Sequence, residues 1–359
     1  MEQAREHNTE DLENLADRIR SWADELGFQQ LGISDGHLPE AEAHLDEWLA
    51  AGYHGDMDYM ARHGRKRSRP RDLVPGTRRV ISVRMDYLPE TAADAGPTLA
   101  DPEQAFIARY ALGRDYHKLM RKRLQRLAER ITAEYGPFGY RAIVDSAPAM
   151  EKPLAAKAGL GWIGKHTLLL NREAGSWFFL GELLTDLPLP VDAPVSDHCG
   201  SCSACMRICP TEAIVAPYVL DARRCIAYFT IESHDPIPVD LRAAMGNRVF
   251  GCDDCQMVCP WNRYAQFTGE ADFAPRHGLD TASLLRLFQW SEDEFLRRTE
   301  GSAIRRLGHD RWLRNIAVAL GNAPAASGIR EALEQRRNHP SALVREHVDW
   351  ALQQQGAAS

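Results

Sequence analysis

Near the start of the chain, apolar residues recur at helical spacing. Leu12, Leu15, Ile19, Trp22 and Leu26 share one face and predict a helix over 9–27. The same periodicity predicts helices over 39–50, 101–109 and 115–135. Runs rich in β-branched and aromatic residues predict strands at Arg79–Arg84, Tyr140–Asp145, His166–Leu170 and Trp177–Leu180. Residues 1–190 therefore read as an α/β domain. The Pro-rich stretch Leu187–Pro194 reads as a linker into a second module over 191–265. Beyond it, 266–359 turns helical. The rhythm of Asp310–Gly321 returns in Pro340–Leu352, with a helix over 328–337 between them. This predicts a pair of HEAT-like repeats packed on the middle module.

The middle module changes the picture, because it holds all eight cysteines of the chain. Cys199, Cys202, Cys205 and Cys209 followed by Pro210 make the C-x2-C-x2-C-x3-C-P spacing of bacterial ferredoxins. Cys252, Cys255 and Cys259 followed by Pro260 make a second loop, with Val249 where its first cysteine would stand. In such ferredoxins the cysteine before proline ligates the other cluster. Applied here, Cys199, Cys202 and Cys205 take Cys259, while Cys252 and Cys255 take Cys209. Cys225 fills the remaining place. Two [4Fe–4S] clusters are the expectation. Disulfides fit poorly, since no cysteine lies elsewhere and the N-terminus resembles neither a signal nor a transit peptide. Zinc loops rarely carry the third cysteine or the repeated Cys-Pro ending.

Composition narrows the rest. The 359 residues carry a net charge of −7, so the whole molecule is not a nonspecific nucleic-acid binder, and any RNA contact needs a local basic face. No apolar run is long enough to span a membrane, and a cytoplasmic monomer is expected. Gly159-x-Gly161-x-x-Gly164 matches a dinucleotide fingerprint in the wrong context. A helical segment precedes it and a strand follows, so it reads as a tight loop. Asp115-Tyr-His117 matches the start of a cobalt-ligating D-x-H-x-x-G motif, but Met120 replaces the glycine. His117 is expected to be a surface helix histidine.

Taken in order, Ala108–His117, Val144-Asp-Ser-Ala-Pro148, Glu151–His166, the cysteine loops and Trp312–Asn322 resemble the epoxyqueuosine reductase family over nearly the whole chain. The related reductive dehalogenases share a cobalamin-plus-two-cluster plan; they are the alternative, acting on a small molecule. The resemblance implies an oxidoreductase that completes queuosine synthesis at the wobble position of tRNA. It also implies base-off cobalamin and a low-potential electron donor. Loss of an epoxide oxygen needs a positioned acid. Asp145, at the end of an apolar strand, is the candidate, with burial expected to keep it protonated. Asp145 itself, with Gly164, Lys165, His166, Leu169, Thr230, Asp253 and Asp254, is expected to hold the corrin. Arg305, Arg306, Arg311 and Arg314 are expected to track tRNA phosphates.

Overall fold

The computed structural model describes residues 9–357. Four strands form the central sheet: β1 (Gln30–Ser34), β2 (Arg79–Asp86), β3 (Tyr140–Ile143) and β4 (Phe178–Thr185). Their order is β1-β2-β4-β3, and every neighbouring pair is antiparallel. The α/β expectation is thus corrected: helices pack on an antiparallel sheet, and no parallel crossover builds it.

The period-2 alternation of β2 and β4 explains the layers. Ile81, Val83, Met85, Phe179 and Leu183 face one way, onto helix α1 (Thr9–Glu25) and the later helix Tyr116–Tyr135. Between them in chain order lies α2 (Pro39–Ala50), so Tyr116–Tyr135 is α3. Gly181 lets α3 close on the sheet, because a Cβ there would stand 3.1–3.2 Å from Leu124 and Met120. The opposite face is mixed. Val80, Ile143 and Leu184 pack with Leu154 of α4 (Glu151–Lys157), but Ser82 and Glu182 are also buried on the sheet.

A second core unites the C-terminal half. Helices α5 (His309–Asn322), α6 (Ser327–Gln335) and α7 (Ala342–Ala357) pack together and onto Ile226, Phe229, Val249 and Phe250. Ala105, Ile107, Ala111 and Leu112 join this core from the N-terminal half. That is why 101–109 is not a helix. Phe106–Ile107 is a short strand running parallel to Arg248–Phe250, and residues 105–108 are buried throughout, with no polar face for a helix to show water.

Other local expectations shift. Thr167 takes a left-handed φ of 68°, which breaks the expected strand 166–170 into a turn followed by Leu169–Leu170. Leu187–Pro194 has no regular structure, yet it is no free linker. Leu187 and Leu189 are buried, and Asp192 exchanges backbone and side-chain hydrogen bonds with Ile33.

Candidate active site and cluster loops

All eight cysteines are free thiols. Cys259 lies within electrostatic reach of Cys199, Cys202 and Cys205, and Cys255 within that of Cys225 and Cys209 and also of Cys205. Backbone N–H groups point at the sulfurs: Ala213 N–H donates to Cys209 Sγ at 3.2 Å, and Tyr228 and Ala227 serve Cys225. Such donors stabilise cluster thiolates, so the donor set fits iron–sulfur chemistry. Lys165 closes the first loop, its Nζ donating to Gly200 O at 2.6 Å and Cys202 O at 2.9 Å.

The second loop is braced from within. Arg248 clamps the Asp254 carboxylate through Nε and Nη2 at 2.7 and 2.5 Å. Asp253 accepts the Arg109 N–H at 2.7 Å. The Thr230 hydroxyl donates to Ile226 O at 2.7 Å and accepts the Gly251 N–H at 2.9 Å. All three side chains are buried and spent on the framework.

Asp145 follows β3 in a left-handed conformation, φ 48°, and its backbone N–H is held by the Glu151 carboxylate. The side chain is 57% exposed, open to a cleft. There it meets His117, which is buried, not on the surface as expected. Asp115 caps the first turn of α3 and bonds His117 Nδ1 at 2.5 Å; His117 Nε2 stands 3.1 Å from Asp145 Oδ2. Arg306 closes the row, 2.6 Å from Asp115 Oδ2 and 3.3 Å from His117 Nδ1.

The electrostatics reverse the expected proton position. Burial opposes charge on His117, but the hydrogen bonds its ring donates to Asp115 and Asp145 outweigh it and push its pKa up to about 9. Burial would raise Asp145, yet the His117 bond and charge, with Arg306, leave its pKa lowered. The proton sits on the imidazole and Asp145 is ionised. Tyr59, Tyr110, Tyr116 and Glu232 complete the cleft, all within electrostatic reach of Asp145. None of these four, nor His117, was singled out for the site by sequence. Glu232 ends a π-helical turn, Tyr228–Glu232, a local irregularity common at functional sites.

Between the cleft and the first cysteine loop runs Gly164–Leu169. Its His166 is buried with Nε2 unpartnered, while the nearby Trp162 indole N–H faces the Cys199 sulfur. Burial, with Lys152 nearby, holds His166 neutral at a pKa of about 4. Leu169 is buried in the small core with Leu160 and Phe178.

The four arginines differ in kind. Arg305 is exposed and bonds the Leu296 carbonyl. Arg311 is partly buried against the carbonyls of Ile231 and Glu232. Arg314 is fully buried, donating to the carbonyls of Phe229, Ser233 and Asp235. It braces the core and is corrected as a phosphate contact.

Two family models match: "Epoxyqueuosine reductase QueG, DUF1730" over residues 67–146, and "4Fe-4S double cluster binding domain" over 198–262. An epoxyqueuosine reductase of Pseudomonas aeruginosa is 67% identical over 347 residues, covering 96% of both chains. The chain belongs to the epoxyqueuosine reductase family. A solved epoxyqueuosine reductase with an epoxyqueuosine-modified tRNA stem loop matches with TM-score 0.86 and 27% identity, over 96% of this chain and 90% of that one. The epoxyqueuosine reductase from Bacillus subtilis matches with TM-score 0.84 and 26% identity, over 95% and 90%. It was solved with an aspartate-bearing catalytic loop swung out of its active site. Among the described residues, no helix is long and apolar enough to cross a membrane.

Proposed function

We propose that the protein reduces epoxyqueuosine to queuosine at the wobble position of tRNA. The observation that carries this is the Asp145–His117 pair, open to a cleft beside paired cysteine loops, in a chain 67% identical to an epoxyqueuosine reductase. The eight cysteines hold two [4Fe–4S] clusters, divided as the loop spacing suggests. Base-off cobalamin would be held between the N-terminal sheet domain and these loops, along Gly164, Lys165, His166 and Leu169. What supports it there is the orphaned buried nitrogen His166 Nε2, suited to a polar ligand. When bound, cobalamin supplies a strongly nucleophilic low-valent cobalt, fed with single electrons by the clusters.

The chain's own part is to bind and to protonate. His117 holds a proton at neutral pH and Asp145 faces the cleft. The pair therefore delivers a proton through Asp145 Oδ to the departing epoxide oxygen. Arg306, paired with Asp115, and Arg305, bonded to the Leu296 carbonyl, keep exposed guanidinium edges on the rim that meet phosphates as the wobble nucleotide enters, flipped from its neighbours. Helices α5–α7 act as HEAT-like supports for that rim. An external low-potential donor supplies the electrons.

The test is anaerobic incubation of reconstituted protein with epoxyqueuosine-bearing tRNA and a low-potential reductant, followed by nucleoside mass analysis. Queuosine, lighter by one oxygen, is the expected product. Unchanged epoxyqueuosine with fully loaded protein would remove the reading.

A further inference from the structure

Beneath the cleft lies a carboxyl pair that the chemistry above does not use. Glu182 stands in the middle of β4, fully buried, opposite Ser82 of β2 and Ile143 of β3. Neither its carboxyl oxygens nor the Ser82 hydroxyl finds a donor. Its hydrogen-bonding neighbour is another carboxyl, that of Glu151 at the start of α4. Two carboxyls bond each other only if one carries the proton, and two like charges in one buried site repel. Burial drives both upward; the Asp145 charge adds to this at Glu151, and the Glu151 charge at Glu182.

The pair is wired to the cleft. The Glu151 carboxylate holds the Asp145 N–H. The Tyr116 phenol donates to Asp145 and lies within electrostatic reach of Glu151. The other groups facing the pair are His117 from α3, Lys152 from α4 and the neutral Ser82 from β2. Lys152 gives its Nζ to Thr167 O at 2.8 Å, so no cation neutralises the pair directly.

We propose that Glu151 and Glu182 share one proton and store it for the Asp145–His117 site. Its role in turnover rests on the function proposed above. Converting the epoxide to an alkene and water consumes two electrons and two protons. The electrons arrive through the clusters. One proton comes from the His117–Asp145 pair. The other passes from Glu151 by way of the Tyr116 hydroxyl to Asp145, leaving the glutamates dianionic until solvent restores the proton. Both are positioning residues, since neither touches substrate.

Infrared difference spectroscopy of the holoprotein at pH 7 tests the store directly. A protonated-carboxyl C=O band that shifts in D2O is expected in the wild type. It should be lost in Glu182→Gln and displaced in Glu151→Gln. A spectrum identical in all three overturns the proposal. Turnover on epoxyqueuosine tRNA supplies the second reading. Glu182→Gln should lose on the order of 10²-fold at alkaline pH and recover toward wild type in acid, where bulk protons replace the store. A parallel pH profile overturns the delivery role. Should Glu182→Gln not fold, Glu151→Gln, on the partly exposed helix start, carries both measurements. A wild-type band without any turnover would instead overturn the substrate reading and leave the shared proton standing.

Discussion

His117 Nε2 lies 3.1 Å from Asp145 Oδ2, while its Nδ1 lies 2.5 Å from Asp115. A buried imidazole held between two carboxylates keeps its proton, and this links to stability. The folded pKa, about 9, is raised above the ordinary 6.5. The contribution is therefore full below about pH 6.5 and is lost as pH rises through about 9. It amounts to at most about 3 kcal/mol. Thermal melts of wild type and His117→Gln should differ most in mild acid and converge above pH 9. A constant difference across that range would show that the imidazole is not charged in the fold.

Asp145 combines two demands, a left-handed backbone and a carboxyl in the cleft. Asparagine meets the first and not the second, because it tolerates φ above zero. Asp145→Asn should keep iron and cobalt content, and should melt somewhat lower near neutral pH because one of the two carboxylates holding His117 charged is gone. It should lose roughly 10²–10⁴-fold in single-turnover rate. Asp145→Ala should lose the same activity and also about 1 kcal/mol of stability. Near-normal product from the asparagine variant would take the proton role away from Asp145.

Arg314 and Arg306 look alike in sequence and should respond in opposite ways. Arg314→Ala leaves the carbonyls of Phe229, Ser233 and Asp235 without their buried donor, and should cost about 3 kcal/mol or more. Arg306→Ala breaks a half-exposed pair with Asp115, and should cost under about 1 kcal/mol. The Arg306 variant should instead bind the tRNA more weakly, with a shallower salt dependence. Denaturation melts and filter binding across a salt series separate the two. A stable Arg314→Ala would contradict its place in the core.

These contrasts mark how much of the molecule was legible in the chain. The double-cluster module was, because ligand spacing within a loop is set by local geometry. Helices α1 and α3 were, because their apolar stripes face a single sheet. His117 was not: its burial depends on Asp145, 28 residues away, meeting it across the fold. Thr230, Asp253, Asp254 and Arg314 are polar residues near the right loops. Sequence does not distinguish a side chain that braces a loop from one that reaches out of it. The segment 101–109 has helical composition, but pairing with Arg248–Phe250 overrides that preference. The one clue to the cleft's hidden partner was Asp115 two residues before His117, a helix cap that also grips the ring.

Lys165 ties the Gly164–Leu169 loop to the first cysteine group through the carbonyls of Gly200 and Cys202. Two consequences follow from that ammonium. It fixes the loop between Cys199 and Cys202, and it places a positive charge beside thiolates. Lys165→Met keeps the stem and removes both effects. Loss of the two hydrogen bonds should loosen the loop by about 1–3 kcal/mol and speed loss of iron in air. Loss of the charge should move the potential of one cluster to a more negative value and leave the other in place, since nearby charge stabilises the more negative reduced state. A redox titration followed by electron paramagnetic resonance reads both clusters in one sample. Equal shifts in both would point to a general disturbance of the module. No shift in either would show that the lysine acts on the loop alone.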